Sequence, residues 1–146
     1  MNKVICGDSL EELKQLESGS IDLIVADPPY NLSHGDSVQW EDKNWGKVNE
    51  DWDEFSFEDY MKFTKMWISE CKRLLKEGGG MFIFGTYHNI GEVNVTLKQL
   101  SMDILNEIIW YKRNAFPNLS QTRLTASHET ILWAYKGDGK DRKSVV

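Results

Sequence analysis

The sequence predicts an α/β protein in which one sheet is flanked by helices. Short apolar segments of strand character alternate with segments whose apolar residues recur every three or four positions. One of the strand candidates, residues 21–26 (IDLIVA), is apolar enough to be covered on both faces, as in a parallel sheet. At 146 residues the chain can close around a single core. Together these observations predict one layered domain with right-handed crossovers.

The first third of the chain has a strand, helix, strand order. Residues 3–6 are a short apolar strand candidate, and Asp8 or Ser9 is suited to cap the helix that follows. That helix carries leucines at three-residue spacing, namely Leu10, Leu13 and Leu16. The run Ser18-Gly19-Ser20 ends it, and residues 21–26 form the second strand. The pattern is typical of the start of a βαβ unit.

The rest of the chain alternates in the same way after a long interruption. Residues 31–57 show no sustained period and contain three tryptophans, which predicts a long loop. Residues 58–76 form an amphipathic helix that we expect the three glycines at 78–80 to end. Residues 81–85 form a third strand. A further helix and two strands are predicted around Ile90, Val93, Leu97 and Leu100, over residues 104–110, and over residues 130–135.

Charge is unevenly distributed along the chain. The net charge of −6 argues mildly against a polyanionic partner. Residues 36–59 hold nine acids against two lysines, whereas residues 112–146 hold seven bases against three acids. We expect the acidic stretch to be a solvated loop; ordering of its tryptophans over DNA is the alternative. The basic stretch is the better candidate for phosphate contacts.

Several classes of protein are disfavoured. No apolar stretch approaches the roughly 20 residues of a membrane span, and the N-terminus does not resemble a signal sequence, so a cytoplasmic location is expected. Cys6, Cys71 and the three histidines share no metal-ligand spacing. We therefore expect reduced thiols and no metal site.

The tetrapeptide Asp27-Pro28-Pro29-Tyr30 directly follows the strand at 21–26. Ligands of open α/β sheets gather beyond the carboxyl ends of the strands. The two prolines fix φ and lack an amide hydrogen, so their carbonyl groups can point at a ligand instead of joining the sheet. The alternative interpretation is a plain proline-rich turn in which the acid caps a backbone amide.

Here the sequence resembles the β-type amino-methyltransferases of DNA, whose catalytic motif is Asp-Pro-Pro-Tyr. The resemblance runs in order through "GDSLEELKQL…SIDLIVADPPYN", "RLLKEGGGMFIFG", "LNEIIWYKRNAFPN" and "ASHETILWAYK", and so covers nearly the whole chain. It implies a Rossmann-like class I methyltransferase sheet and makes residues 1–146 a catalytic portion. It also implies S-adenosyl-L-methionine as cofactor, double-stranded DNA as substrate and a role in restriction-modification.

The residues of the motif suit methylation of an exocyclic amine. The Asp27 carboxylate and the Pro28 carbonyl oxygen can accept both hydrogens of adenine N6, and positioning with electrostatic help supplies the rate. Pro29 stiffens the turn. Flipping the base out of the duplex costs a few kcal/mol, and stacking on the Tyr30 ring returns about 1–3 kcal/mol. Asp27, Pro28, Pro29 and Tyr30 are the predicted catalytic residues.

The resemblance also implies roles for residues outside the tetrapeptide. Asp8 lies where the family places the adenosine of the cofactor, beside Asp27 and Pro28, although a simple helix cap would look identical. The segment 112–127 is a possible DNA-contacting element, although solvated charge explains it equally well. Its candidate contacts are Lys112, Arg113, Asn114 and Arg123.

Two features separate the alternative chemistries, namely the first residue of the motif and the residues that precede the cysteines. Cytosine-N4 enzymes more often begin it with Ser, so adenine N6 is favoured. Methylation of cytosine carbon 5 is set aside because neither cysteine follows a proline. Methylation of a protein glutamine amide uses a tetrapeptide beginning with Asn, from which Asp27 departs.

One block of the family is not found. Nothing after Lys136 resembles the Asp-Pro-Phe and glycine-rich turn that binds the cofactor, and the glycines at 78–80 have the reverse, helix-to-strand placement. A fragment, a split enzyme and a degenerate remnant all fit. We expect a homo-oligomer or a second polypeptide that supplies the cofactor loop. A non-catalytic nucleic-acid-binding or interaction module is the alternative function.

Overall fold

The computed structural model describes residues 2–32, 55–115, 117, 122 and 124–137. These residues form helices and strands that alternate along most of the chain, which confirms the α/β class. In order they are α1 (Ser9–Lys14), β1 (Ile21–Ala26), α2 (Phe57–Leu74), β2 (Leu75–Gly85), α3 (Ile90–Gln99), β3 (Asp103–Tyr111) and β4 (His128–Tyr135).

The described strands form one mixed sheet in the order β1-β2-β4-β3. Strands β1 and β2 are parallel, with Ala26 opposite Ile83, because α2 carries the chain back between them. Strand β4 is antiparallel to both of its neighbours. The carboxyl ends of β1, β2 and β3 therefore lie at one edge of the sheet, together with the start of β4.

The prediction of a strand over residues 3–6 is wrong. This segment has no ladder partner in the described part of the chain, and Val4 is 96% exposed. A strand needs a neighbouring backbone to satisfy its amide groups, and β1 pairs only with β2. Of the predicted loop at 31–57, residues 33–54 lie outside the described residues, and Phe57 already begins α2.

The glycines at 78–80 do not end the preceding helix, contrary to the prediction. Helix α2 ends at Leu74, and the glycines lie inside β2. A side chain at Gly79 would place its Cβ 2.9 Å from the Lys76 carbonyl oxygen and 3.1 Å from that of Asp22. Glycine is therefore needed here because backbone oxygens of β2 itself and of β1 both approach so closely.

The core lies on one face of the sheet, where all three described helices pack. It contains Trp67, Ile68 and Cys71 of α2, Val93 and Leu97 of α3, and Leu75, Met81, Ile83, Met102, Leu132 and Ala134. On the opposite face, Leu23 is 54% exposed and Val25 is 65% exposed. The expectation that β1 is covered on both faces is wrong for the described residues, because none of their helices packs there.

No helix in the described ranges is long and apolar enough to cross a membrane. Cys6 is exposed and Cys71 is buried, and the two are unpaired thiols. Within the same ranges, no three His, Cys, Asp or Glu side chains converge in a way that would hold a metal ion.

Candidate functional site at the carboxyl end of β1

The tetrapeptide Asp27-Pro28-Pro29-Tyr30 leaves the carboxyl end of β1, as the sequence predicts. Asp27 is exposed, so its carboxylate is not locked into the core. Its Oδ1 atom accepts a hydrogen bond of 2.5 Å from the Tyr30 hydroxyl. The predicted acid and the predicted aromatic ring are thus brought together, with the hydroxyl of one on the carboxylate of the other.

Two buried side chains support the tetrapeptide from beneath. The Tyr60 hydroxyl donates to the Pro29 carbonyl oxygen at 2.7 Å. Asn89 Nδ2 donates to the Tyr60 hydroxyl oxygen at 3.0 Å, and Asn89 Oδ1 accepts from the Thr86 amide at 2.9 Å. Tyr60 is 2% exposed and Asn89 is fully buried. A continuous hydrogen-bonded path thus joins the end of β2 to the tetrapeptide.

The two proline carbonyl groups differ in their partners. Pro29 accepts from Tyr60, whereas no described residue donates to the Pro28 carbonyl oxygen. Neither proline carries an amide hydrogen. The turn therefore offers a carboxylate at Asp27 and a carbonyl at Pro28 as neighbouring acceptors, which suits a ligand that carries two N–H donors.

Tyr30 stays protonated over a wide pH range. Burial raises the pKa of its phenol well above the usual value, and the hydrogen bond and negative charge of Asp27 add to the increase. The negative charge of Glu129, at the start of β4, raises the pKa of Tyr30 further. Tyr30 is thus a neutral hydrogen-bond donor at physiological pH.

Asn31, the residue after the tetrapeptide, is also fixed by a hydrogen bond. Asn31 has a left-handed φ of 55°, and its Oδ1 accepts a hydrogen bond of 2.9 Å from the Phe55 amide. The Phe55 ring packs edge-on against Tyr60 at 5.7 Å between centroids and stacks on Phe63 at 5.2 Å. The hydrogen bond joins Asn31 to Phe55, and the aromatic cluster attaches Phe55 to α2.

The predicted DNA-contacting residues lie in different settings. The Lys112 ammonium forms an ion pair with Glu129 and lies 5.7 Å from the centre of the Trp110 ring, so its charge is already balanced. Arg113 and Asn114 are exposed in the turn that follows. Arg123 lies outside the described residues.

Asp8 is the N-cap of α1. Its Oδ1 accepts from the amides of Leu10 at 2.8 Å and Glu11 at 3.2 Å. The predicted capping role is therefore observed, and a role toward a cofactor stays a prediction.

Tyr60, Asn89 and Glu129 were not recognised as site residues in the sequence. Tyr60 belongs to the apolar stripe of α2. A buried tyrosine hydroxyl needs a hydrogen-bond partner, and this requirement is the feature of the sequence that points to a contact at Tyr60. No comparable signal marks Asn89 or Glu129, because their partners come from distant segments.

Comparison with known proteins identifies the fold and the family of this chain. TTHA0409 of Thermus thermophilus, solved in complex with S-adenosyl-L-methionine, superposes with a TM-score of 0.63 at 25% identity, over 95% of this chain and 57% of that one. The fold is that of the class I methyltransferases, in partial form. The family model described as DNA methylase matches residues 21–145, and the chain belongs to that family.

Two curated relatives are Type II methyltransferases. The chain is 42% identical to M2.DpnII of Streptococcus pneumoniae over 144 residues, which are 97% of this chain and 54% of the relative. It is 38% identical to M.HinfI of Haemophilus influenzae over 138 residues, which are 93% of this chain and 38% of the relative. The chain thus spans about half the length, or less, of these relatives.

Proposed function

We propose that residues 1–146 form the catalytic portion of an S-adenosyl-L-methionine-dependent DNA methyltransferase that acts on the N6 amine of a flipped adenine. The observation that carries this proposal is the pair of acceptors at Asp27 and Pro28, placed at the carboxyl end of β1 in a chain of the DNA methylase family. A role in restriction-modification is in keeping with the Type II relatives. A cytoplasmic location is part of the proposal.

The chemistry follows from what the two acceptors do to an amine. The lone pair of adenine N6 is delocalised into the ring, which makes the nitrogen a poor nucleophile. Acceptance of its two hydrogens by the Asp27 carboxylate and the Pro28 carbonyl favours a pyramidal nitrogen whose lone pair is free. Asp27 is then placed to take the proton that the nitrogen loses when its new bond to carbon forms.

The oxygen atoms of Asp27 and Pro28 also suit the cofactor. S-adenosyl-L-methionine, when bound, would supply an electrophilic methyl group on a cationic sulfonium, with the methyl–sulfur bond broken and a neutral thioether as the leaving group. A carboxylate and a carbonyl without a donor are suited to lie near such a cation, and Asp27 and Pro28 are the proposed contacts, with Asp8 at the adenosine side. The relative TTHA0409 binds this molecule in its crystal structure.

Substrate DNA is proposed to contact two parts of the chain. The Tyr30 ring stacks on the flipped base once its hydroxyl leaves Asp27, which contributes about 1–3 kcal/mol. The segment 112–127 contacts the backbone through the exposed Arg113 and Asn114, with Lys112 and Arg123 as further candidates. Residues 31–56 are proposed to be the loop that connects β1 to α2.

The open face of the sheet supports a further partner. Leu23, Val25 and Trp110 are more than half exposed there, and the relatives are much longer than this chain. We infer that a second polypeptide covers this face and supplies the glycine-rich cofactor turn; a homo-oligomer is the alternative occupant.

The test is transfer of a labelled methyl group from S-adenosyl-L-methionine to duplexes with and without adenine, with the chain alone and with the complementary half of a relative added. We expect transfer to adenine-containing duplexes and a loss of at least about 100-fold in Asp27→Asn. Asp22→Asn is the matched control, because Asp22 is an exposed carboxylate of β1 paired with Lys76 at 2.7 Å.

Three other outcomes would contradict parts of the proposal. Transfer that persists without adenine identifies the cytosine-N4 reaction. An Asp27→Asn variant as active as Asp22→Asn removes the proposed catalytic role. Absence of both methyl transfer and cofactor binding favours a non-catalytic nucleic-acid-binding or interaction module.

A further inference from the structure

The path Thr86, Asn89, Tyr60, Pro29 has a defined direction. The Thr86 amide donates to Asn89 Oδ1, so the amide nitrogen of Asn89 must face Tyr60. Asn89 Nδ2 then donates to the Tyr60 oxygen. A tyrosine hydroxyl has a single hydrogen, and with its oxygen already accepting from Asn89 that hydrogen points to the Pro29 carbonyl.

Fixing the Pro29 carbonyl also restricts the Pro28 carbonyl. Both residues have φ held near −65° by their rings, and Pro28 is confined to extended ψ because a proline follows it. In extended backbone, consecutive carbonyl groups point in different directions. With the Pro29 carbonyl turned inward to Tyr60, the Pro28 carbonyl is turned away from the buried hydroxyl, and no described residue donates to it.

We propose that Tyr60 and Asn89 are positioning residues that aim the Pro28 carbonyl at the substrate amine. Neither side chain reaches the reacting atoms, since both are buried beneath the turn. They act by holding the second proline carbonyl so that the first is presented beside the Asp27 carboxylate. The reaction that this arrangement serves rests on the proposed function, but the geometry does not.

The geometry is tested on the chain alone by carbonyl spectroscopy. The sequence contains three prolines, Pro28, Pro29 and Pro117, so labelling proline with carbonyl ¹³C gives three resonances. In Tyr60→Phe, we expect the Pro29 resonance to move upfield as its hydrogen bond is lost, and the Pro28 resonance to move with it. Pro117 is exposed and serves as the internal reference.

Two further variants sharpen this measurement. Tyr135→Phe makes the same change at the end of β4 that lies opposite the site, and should leave all three resonances in place. Replacement of Tyr60 by 4-aminophenylalanine restores an N–H donor at the same ring position and should return the Pro28 resonance toward its original value. A Pro28 resonance unmoved in Tyr60→Phe while that of Pro29 shifts would overturn the proposal.

Kinetics provide the second readout where methyl transfer is observed. A positioning role predicts that Tyr60→Phe lowers kcat by about tenfold or more and changes the KM values for DNA and cofactor by less than about twofold. A rise in KM with unchanged kcat would contradict it. If the unsubstituted chain transfers no methyl group even with its complement, the proposed function fails, while the carbonyl measurement still decides the geometry.

Discussion

The hydroxyl of Tyr30 donates to Oδ1 of Asp27, on the carboxylate that is proposed to accept from the substrate amine. The contact is 2.5 Å long, and Tyr30 is half-buried. Adenine would replace one hydrogen-bond donor on the carboxylate with another, and the freed ring would remain close by for stacking. On the proposed function, these two residues bind each other before the substrate arrives and contact the base afterwards.

This contact makes a prediction about the titration of Tyr30. Burial is the largest cause of its raised pKa and Asp27 is the second, so Asp27→Asn should lower the pKa without returning it to the usual value near 10. The measurement is the ¹³Cζ shift of labelled tyrosine, followed from pH 8 upward until the Tyr30 signal moves in both proteins. Asp22→Asn should leave the Tyr30 curve unchanged, and an Asp27→Asn curve identical to wild type would show that the contact is absent in solution.

The sequence predicted the tetrapeptide and its place after a strand, because both depend on local residue order. It also named the Asp27 carboxylate and the Pro28 carbonyl as acceptors, but it did not predict the buried contact that engages the Pro29 carbonyl instead. That contact depends on Tyr60, which lies 31 residues from Pro29 in the sequence. It also depends on Asn89, which lies 29 residues from Tyr60. Partners at such separations depend on packing that no local pattern encodes.

At the scale of elements, the junction between β2 and α3 is tightly packed around one glycine. A Cβ at Gly85 would lie 2.8 Å from Ile90 Cδ1 and 3.0 Å from Asn89 Oδ1. Asn89 cannot move aside without breaking its bonds to Thr86 and Tyr60. The close approach of strand and helix is therefore tied to the hydrogen-bonded path beneath the site.

Two glycine substitutions at this junction should have opposite effects. Gly85→Ala should lower the free energy of unfolding by about 1–3 kcal/mol, because the methyl group overpacks a buried junction. Gly91→Ala in α3 has open space around its Cβ and should raise it by up to about 1 kcal/mol through helix propensity. Urea denaturation measures both, and equal effects of the same sign would contradict the described packing.

Helix α2 carries a thiol whose ionisation opposes folding. Burial raises the pKa of Cys71 to about 12, with the negative charge of Glu70 as the smaller cause. The folded chain therefore keeps a proton that the unfolded chain loses near pH 9. The thiol's contribution to stability is complete below pH 9 and is lost as the pH rises toward 12.

The matching prediction concerns alkaline stability. Between pH 9 and 11 the free energy of unfolding of wild type should fall more steeply than that of Cys71→Ala, by up to about 1.4 kcal/mol per pH unit. Cys6→Ala is the control, because Cys6 is exposed. Parallel pH profiles of wild type and Cys71→Ala would show that the thiol is not buried in the folded state.

Periodicity predicts two kinds of element well. These are elements whose neighbours in the fold are close in sequence, and helices with a long stripe of apolar residues. Helix α2 begins one residue and ends two residues before the predicted limits, and β4 begins two residues earlier than expected. The strand predicted at residues 3–6 is not formed, because a strand depends on a neighbour that its own residues do not specify. The role of Gly79 also depends on another strand, because a Cβ at this position would lie 3.1 Å from the carbonyl oxygen of Asp22 in β1.

At the scale of the whole molecule, the described residues leave the sheet with one covered and one open face. The open face includes stacked rings of Phe82 and Trp133, with centroids 5.4 Å apart, and an edge-to-face contact of Phe84 with Trp110 at 5.8 Å. Together with Leu23 and Val25 these side chains form a continuous apolar surface across four strands. Soluble monomers rarely expose surfaces of this kind.

The chain without its proposed complement should therefore self-associate through the open face. Val25→Lys places a charge in that surface and should shift the sedimentation distribution toward monomer. Met66→Lys introduces the same charge at a residue 50% exposed on α2, on the helix-covered side, and should leave the distribution unchanged. Addition of a complementary polypeptide should dissociate the wild-type oligomer by covering the same residues. A monomeric wild type, or equal effects of the two lysines, would show that this face does not mediate association.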